Sequence, residues 1–253
     1  MIKKILYLLV AASCLTSCSF DDYDEPSETF TGQFIDKTTG SRIQTEVGSG
    51  GIQIYMYETS YKENPTPWSF TARQDGTFNN TKVFAGHYTV LPYGPFVPLT
   101  ETDENGVYTK DERLKNFRIS GKVAHNFEVE PFLNVSIVGQ PTVKDNKISV
   151  NVHVERGTSN PNYQQDCTDV VLFVNNSSSY VGNNNYDSRV STFIGGDAAK
   201  NAVGHDITIT SEDVTKANGA GQNYYVRVGA RINYATNGVR RYNYSEPLVV
   251  AVP

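Results

Sequence analysis

Three stretches of this chain alternate apolar and polar residues with a period of two, and that periodicity limits the fold more than any other feature of the sequence. In Ile52-Gln53-Ile54-Tyr55-Met56-Tyr57, Ile52, Ile54 and Met56 share one side of an extended backbone while Gln53, Tyr55 and Tyr57 share the other. Ile148, Val150, Val152 and Val154 alternate with Ser149, Asn151, His153 and Glu155. Tyr224, Val226, Val228, Ala230 and Ile232 alternate with Tyr225, Arg227, Gly229 and Arg231. Strands sort side chains this way; helices, with their period of 3.6, do not. Val170-Val171-Leu172-Phe173-Val174 is a continuous apolar run suited to a central strand. Asp75-Gly76 and Ala85-Gly86 supply the turns between extended stretches. Sixteen tyrosines and twelve phenylalanines against two methionines favour strands as well. The fold class expected is all-β, and 253 residues suffice for two tandem antiparallel β-sandwiches.

The N-terminus reads as an export signal. Lys3 and Lys4 precede Ile5 to Ala12, an apolar stretch too short to span a bilayer. Leu15-Thr16-Ser17-Cys18 resembles a bacterial lipobox, which implies a signal peptide over 1–17 and a diacylglycerol on the Cys18 thiol that ties the chain to a membrane. Residues 18–27 carry Asp21, Asp22, Asp24 and Glu25 and form an acidic tether that stays extended and solvated. This tether is similar to the export tag behind the lipidated cysteine in surface lipoproteins of Bacteroides-type bacteria. It implies an outer-membrane location facing the cell exterior.

With Cys14 lost and Cys18 acylated, Cys167 is left alone, so no intramolecular disulfide forms and stability must come from packed cores. Acids on either side of Cys167, at Asp166 and Asp169, oppose a thiolate, so it reads as a buried thiol without chemistry. Removing Lys3 and Lys4 with the signal takes the net charge from −5 to −7. That excess repels phosphate backbones and excludes a nucleic-acid partner.

Residues Phe30 to Gly40, Gly51-Ile52-Gln53-Ile54, Asp75-Gly76-Thr77-Phe78 and Ala85-Gly86-His87-Tyr88-Thr89-Val90 resemble the carboxypeptidase-regulatory or transthyretin-like sandwich. The resemblance covers 28–138 and places a last strand over Val123 to Val138. The stretch Leu91 to Arg118, with Pro92, Pro95 and Pro98, departs from it and reads as an elaborated loop. Over 139–253 the Tyr224 to Ile232 strand, followed by Ser245-Glu246-Pro247 and a closing strand Leu248 to Val252, is similar to a fibronectin type III or immunoglobulin-like sandwich. Ser211 is expected to cap one helical turn. Lipobox, acidic tag and two sandwiches in this order resemble a domain-of-unknown-function family of surface lipoproteins from Bacteroides-type gut bacteria. Asn79 to Gly86 and Pro131 to Val135 add to that resemblance. It implies a setting beside starch-utilisation-type glycan importers, with outer-membrane importer proteins as partners in polysaccharide utilisation.

Catalytic motifs are lacking. His87, His125, His153 and His205 are scattered without metal-ligand spacing, and no Gly-x-Ser-x-Gly elbow or phosphate-cradling loop occurs. Asp103-x-Asn105-Gly106 lacks the later acid of a calcium loop. No enzyme, no metal and no cofactor are expected. Aromatic and amide side chains on outward faces point instead to a glycan, since rings cover sugar C–H patches and amides meet hydroxyls. Three candidate clusters result: Tyr55, Tyr57 and Tyr61 with Trp68; Tyr93 and Phe96; and Tyr163, Tyr180 and Tyr186 with Asn183-Asn184-Asn185. The function expected is a non-catalytic surface lipoprotein that binds glycan or serves an importer. The alternative is a structural or adhesive cell-surface protein.

Overall fold

The computed structural model describes residues 25–218 and 222–253. The signal peptide 1–17, Cys18 and most of the acidic tether lie outside the described residues. Within them the chain forms two tandem all-β sandwiches, as the alternating pattern predicts.

The first sandwich holds β1 (Glu28–Asp36), β2 (Gln53–Glu58), β3 (Trp68–Thr71), β4 (Thr77–Val83), β5 (Gly86–Tyr93), β6 (Thr100–Thr102), β7 (Tyr108–Asp111), β8 (Leu114–Ile119), β9 (Lys122–Ala124) and β10 (Phe127–Val129). One sheet runs β3-β2-β5-β8 and the other β10-β1-β4, with β9 also on β1. All pairings are antiparallel except those of β1 with β9 and β10. Ile54 and Met56 point inward with Tyr88 and Val90, and they meet Phe30, Phe34, Phe78 and Phe127 from the facing sheet. Gly32 is required in β1, because a Cβ there would lie 1.8 Å from the carbonyl oxygen of His125.

The segment read as a loop, Leu91 to Arg118, is more regular than expected. Strand β5 continues through Pro92 to Tyr93, and Pro92 is tolerated because β8 pairs with β5 only as far as Val90. Strands β6 and β7 then form a hairpin. Its tip is closed by the Asp103 carboxylate, which accepts the backbone N–H groups of Asn105 and Val107, both at 2.9 Å.

The second sandwich holds β11 (Leu133–Lys144), β12 (Lys147–Arg156), β13 (Cys167–Asn175), β14 (Thr192–Gly195), β15 (His205–Thr210), β16 (Gln222–Ile232), β17 (Asn243–Tyr244) and β18 (Leu248–Val252), with short helices α1 (Gly196–Asn201) and α2 (Thr215–Asn218). Its sheets run β11-β12-β15 and β14-β13-β16-β17, with β18 on β16. The expected last strand over Val123 to Val138 is divided. Its first part is β9 and β10 on β1, whereas Leu133 and Val135 in β11 pair with β12 and pack in the second core. The break comes at Pro131-Phe132, where the chain passes from one core to the other. Asp213, rather than Ser211, caps α2 by accepting the Thr215 N–H at 3.0 Å; Ser211 is buried and accepts the Ile148 N–H at 2.9 Å.

Val170, Leu172 and Val174 face the second core, while Val171 and Phe173 face the opposite side with Val181, Tyr242 and Tyr244. Both faces of β13 are therefore buried. Arg227 and Gly229 share that other side of the sheet, and the first sandwich lies against it. Arg227 is fully buried. Its guanidinium crosses the joint to donate to the carbonyls of Thr45 at 2.9 Å and Gln74 at 3.2 Å, and to that of Ser245 within its own domain at 2.8 Å. It also stacks 4.3 Å above the Tyr244 ring.

Candidate functional site

The outward face of the β2–β5 pair carries a strip of tyrosines. Alternation puts Tyr55 and Tyr57 on the side of β2 away from the core, and the register sets Tyr93 of β5 opposite Gln53 on that same side. Tyr55 meets Tyr93 edge to face, ring centroids 5.3 Å apart at 88°. The β6–β7 hairpin adds Tyr108, which is 48% exposed, and Arg113 lies 4.3 Å above the Tyr108 ring. Burial raises the hydroxyl pKa of Tyr57 and of Tyr93, and each feels Tyr108 and Arg113 nearby. The hydroxyls of Tyr57, Tyr93 and Tyr108 have no protein partner among the described residues, so each is open to a ligand.

The charged groups beside the strip engage one another. Asp111 accepts from Nε and Nη2 of Arg113, both at 2.7 Å, and from Nζ of Lys115 at 2.6 Å. The hydrogen bond from Arg113 holds the Asp111 carboxyl well below the usual carboxylate range.

The second sandwich closes the other end of the strip. Asn237 donates from Nδ2 to the Tyr55 hydroxyl at 3.1 Å. Its loop is a tight turn with Asn237 at φ 49° and Gly238 at φ 76°, where Thr236 and Val239 exchange backbone hydrogen bonds. Arg241 fixes this turn by donating to Thr236 and Val239, and it reaches into the first sandwich to the Gly51 carbonyl at 2.8 Å and Gln53 Oε1 at 3.0 Å. Burial pulls the Arg241 guanidinium down to about 10, which leaves it cationic at neutral pH.

The structure regroups the three expected clusters. Tyr55 and Tyr57 from the first join Tyr93 from the second. Trp68 stands opposite Met56 in the β2–β3 ladder, so it faces the core side, where it leans on Phe70 with centroids 5.8 Å apart. Tyr61 is 91% exposed in the β2–β3 connection, apart from the strip. Phe96 is a core residue stacked on Phe34, and Tyr163 is buried against Phe132 and Tyr234 with its hydroxyl on Glu101. Neither ring faces solvent. Tyr180 is half exposed, while Tyr186 packs edge-on against Phe173.

The asparagine run beside Tyr180 and Tyr186 serves the joint: Asn184 donates its backbone N–H to Glu46 Oε2 and its side chain to the Val47 carbonyl. Tyr108, Arg113 and Asn237 were not among the expected site residues. An aromatic ring in a largely polar hairpin and an Asn-Gly turn are the local signals that mark two of them.

A second surface is a cleft of about 570 Å³ between the sandwiches, walled by Asp36, Arg42, Asn134, Gln140 and Glu155. Its Asp36 is already engaged by the Thr38 N–H, the Thr39 hydroxyl and the Asn134 amide, and its one aromatic ring among the described residues, Tyr244, is buried. It offers no stacking face, and the tyrosine strip is the stronger site.

Residues 28–130 match the family described as "Protein of unknown function (DUF3823) N-terminal domain", and residues 135–248 match "Domain of unknown function (DUF3823_C)". The chain belongs to the DUF3823 family. A DUF3823 crystal structure from Bacteroides uniformis is 38% identical, covering 90% of this chain and all of its own, with a TM-score of 0.79. Another from the same organism, described as "a putative carbohydrate binding protein", is 22% identical over 90% of this chain and all of its own, with a TM-score of 0.72. A DUF3823 protein from Parabacteroides merdae is 19% identical over the same shares, with a TM-score of 0.62. No curated protein matches the chain. The two-sandwich fold is thus that of DUF3823 proteins from Bacteroides and its relatives. Among the described residues no helix is long and apolar enough to cross a membrane, and no three His, Cys, Asp or Glu side chains converge as a metal site.

Proposed function

We propose that this DUF3823 chain is a non-catalytic lipoprotein of the outer-membrane surface that binds glycan on the strip of Tyr55, Tyr57, Tyr93 and Tyr108, beside an importer it serves. One observation carries the glycan reading: three tyrosines on one sheet face with Tyr108 of the β6–β7 hairpin beside them, three of the four with hydroxyls that bond no other side chain among the described residues. Stacking rings and open hydroxyls answer the two surfaces of a sugar, its C–H patches and its hydroxyls. The relative described as "a putative carbohydrate binding protein" shares the fold and points the same way. The lipobox at Cys18 and the acidic tag behind it support the surface location. A non-catalytic role agrees with Cys167, which is buried and whose thiol is pushed up to about 11 by desolvation.

Affinity electrophoresis of the full chain against neutral and acidic polysaccharides tests the binding. Retardation by at least one polymer, lost in Tyr93→Ala, is the expected result. Passage unretarded through all of them would overturn the glycan reading and favour the structural or adhesive one. Palmitate labelling and antibody access on intact cells test the anchor and its outward face, with Cys18→Ala as the control that loses the label.

A further inference from the structure

The strip differs from a general sugar platform in two respects, its charge and its domain composition. Arg113, which lies over the Tyr108 ring, and Lys115 both bind Asp111, and the neighbouring Lys110 meets the Pro98 carbonyl at 3.0 Å and Glu112 at 3.2 Å. An acidic sugar would meet these cations only in competition with the carboxylates already on them, and it would approach a protein of net negative charge. At the other end, Asn237 spends Nδ2 on Tyr55, while its Oδ1 accepts nothing from the protein among the described residues. By accepting that bond, the Tyr55 oxygen leaves its own proton free to point outward. Asn237 is exposed, and the turn that presents it is pinned to both sandwiches through the buried Arg241.

We infer that the strip takes a neutral glycan laid across the domain joint, with Asn237 of the second sandwich supplying the polar contact at one end and the Tyr57–Tyr108 rings forming the other. This rests on the glycan reading above and adds to it the charge class of the ligand and a binding residue from the second domain. The Asn237 amide meets a sugar hydroxyl through Oδ1, and the tyrosines bind by ring contact and hydroxyl exchange. None of these contacts needs an unpaired charge.

The test uses the full chain in affinity gels containing a neutral β-glucan, a galactomannan, polygalacturonate or heparin, each at low and high salt. Retardation by a neutral polymer, unchanged by salt, is expected, with no retardation by the two polyanions. Asn237→Gly preserves the left-handed backbone at φ 49° and removes the amide. It should weaken binding about five-fold, the share of one hydrogen bond, at an unchanged melting temperature. Stronger, salt-sensitive retardation by polygalacturonate or heparin would overturn the charge class. Unchanged affinity in Asn237→Gly, alongside its loss in Tyr93→Ala, would remove the second domain from the site. If no polymer retards the wild type, the underlying glycan reading falls first and this inference falls with it.

Discussion

Tyr244 of the second sandwich donates its hydroxyl to the carboxylate of Glu46 in the first, across 2.7 Å, with both residues withdrawn from solvent. The same Glu46 oxygen accepts the Asn184 N–H at 3.2 Å, and the Arg227 guanidinium lies on the Tyr244 ring. Burial first, and the Glu46 charge next, hold the Tyr244 hydroxyl well above its ordinary pKa. A cation, a ring and an anion are thus stacked across the domain joint, with backbone groups satisfying most of the rest. Such a joint behaves as an extension of the two cores rather than as a hinge.

Removing Glu46 should therefore loosen the whole chain. In Glu46→Ala the Tyr244 hydroxyl and the Asn184 N–H lose their acceptor, and Arg227 keeps its buried charge without the nearby anion. The expected cost is about 3 kcal/mol. Urea denaturation followed by tyrosine fluorescence and far-UV circular dichroism measures it. The wild type should unfold in one transition by both probes, because neither sandwich can leave without exposing the joint.

Arg227→Lys should be nearly as damaging as Arg227→Ala, although it keeps the charge. A lysine has no planar fork to serve Thr45, Gln74 and Ser245 together while lying flat on Tyr244. Both variants should lose about 3 to 5 kcal/mol by the same denaturation assay, since each leaves buried carbonyls unpaired. A lysine variant as stable as the wild type would mean that charge alone holds the joint.

The strands around this joint are legible in the sequence because alternation is a local property. Ile52, Ile54 and Met56 point to the first core and Ile148 to Val154 to the second, as their spacing requires. What covers the other face is not local. Tyr225, Arg227, Gly229 and Arg231 read as one polar face, yet the first sandwich seals Arg227 within it. A hint lies in Gly229, whose added Cβ would come within 2.9 Å of the Phe173 and Tyr244 rings. Cross-strand register is equally hidden: Trp68 and Tyr55 each alternate correctly, but Met56 pairs with Trp68, which sends the two rings to opposite faces. Three of the strip's four tyrosines, Tyr55, Tyr57 and Tyr93, were therefore visible. Its remainder depends on a hairpin and a turn folding back from far along the chain.

Asp111 gives the β6–β7 hairpin a pH dependence of defined sign. Because Arg113 and Lys115 hold its folded pKa below the unfolded value, its contribution to stability is complete above about pH 4 and is lost as pH falls from there through the folded value. Asp111→Asn should cost about 1 to 2 kcal/mol at pH 7. Thermal melts from pH 7 down to pH 2.5 should show the gap between variant and wild type narrowing below pH 4. A constant gap would mean that the side chain matters for its shape and not its charge.

Cys167 should resist alkylation in the folded protein. The thiol is 2% exposed in β13, lies 3.5 Å from the Asp169 carbonyl, and is pushed up to about 11 by burial, so at pH 8 almost none of it is thiolate. Iodoacetamide at pH 8 should leave the peptide containing Cys167 unmodified over hours in buffer and label it within minutes in urea, as read by mass spectrometry of the digest. Its labelling rate in intermediate urea should track global unfolding, because β13 is buried on both faces and opens only when the second core does. Rapid labelling without urea would contradict the placement of this strand at the centre of its sheet. The Cys167→Ser variant adds an independent reading. It puts a hydroxyl where the thiol has one weak partner, and should lower stability by about 1 kcal/mol while leaving binding at the distant tyrosine strip unchanged.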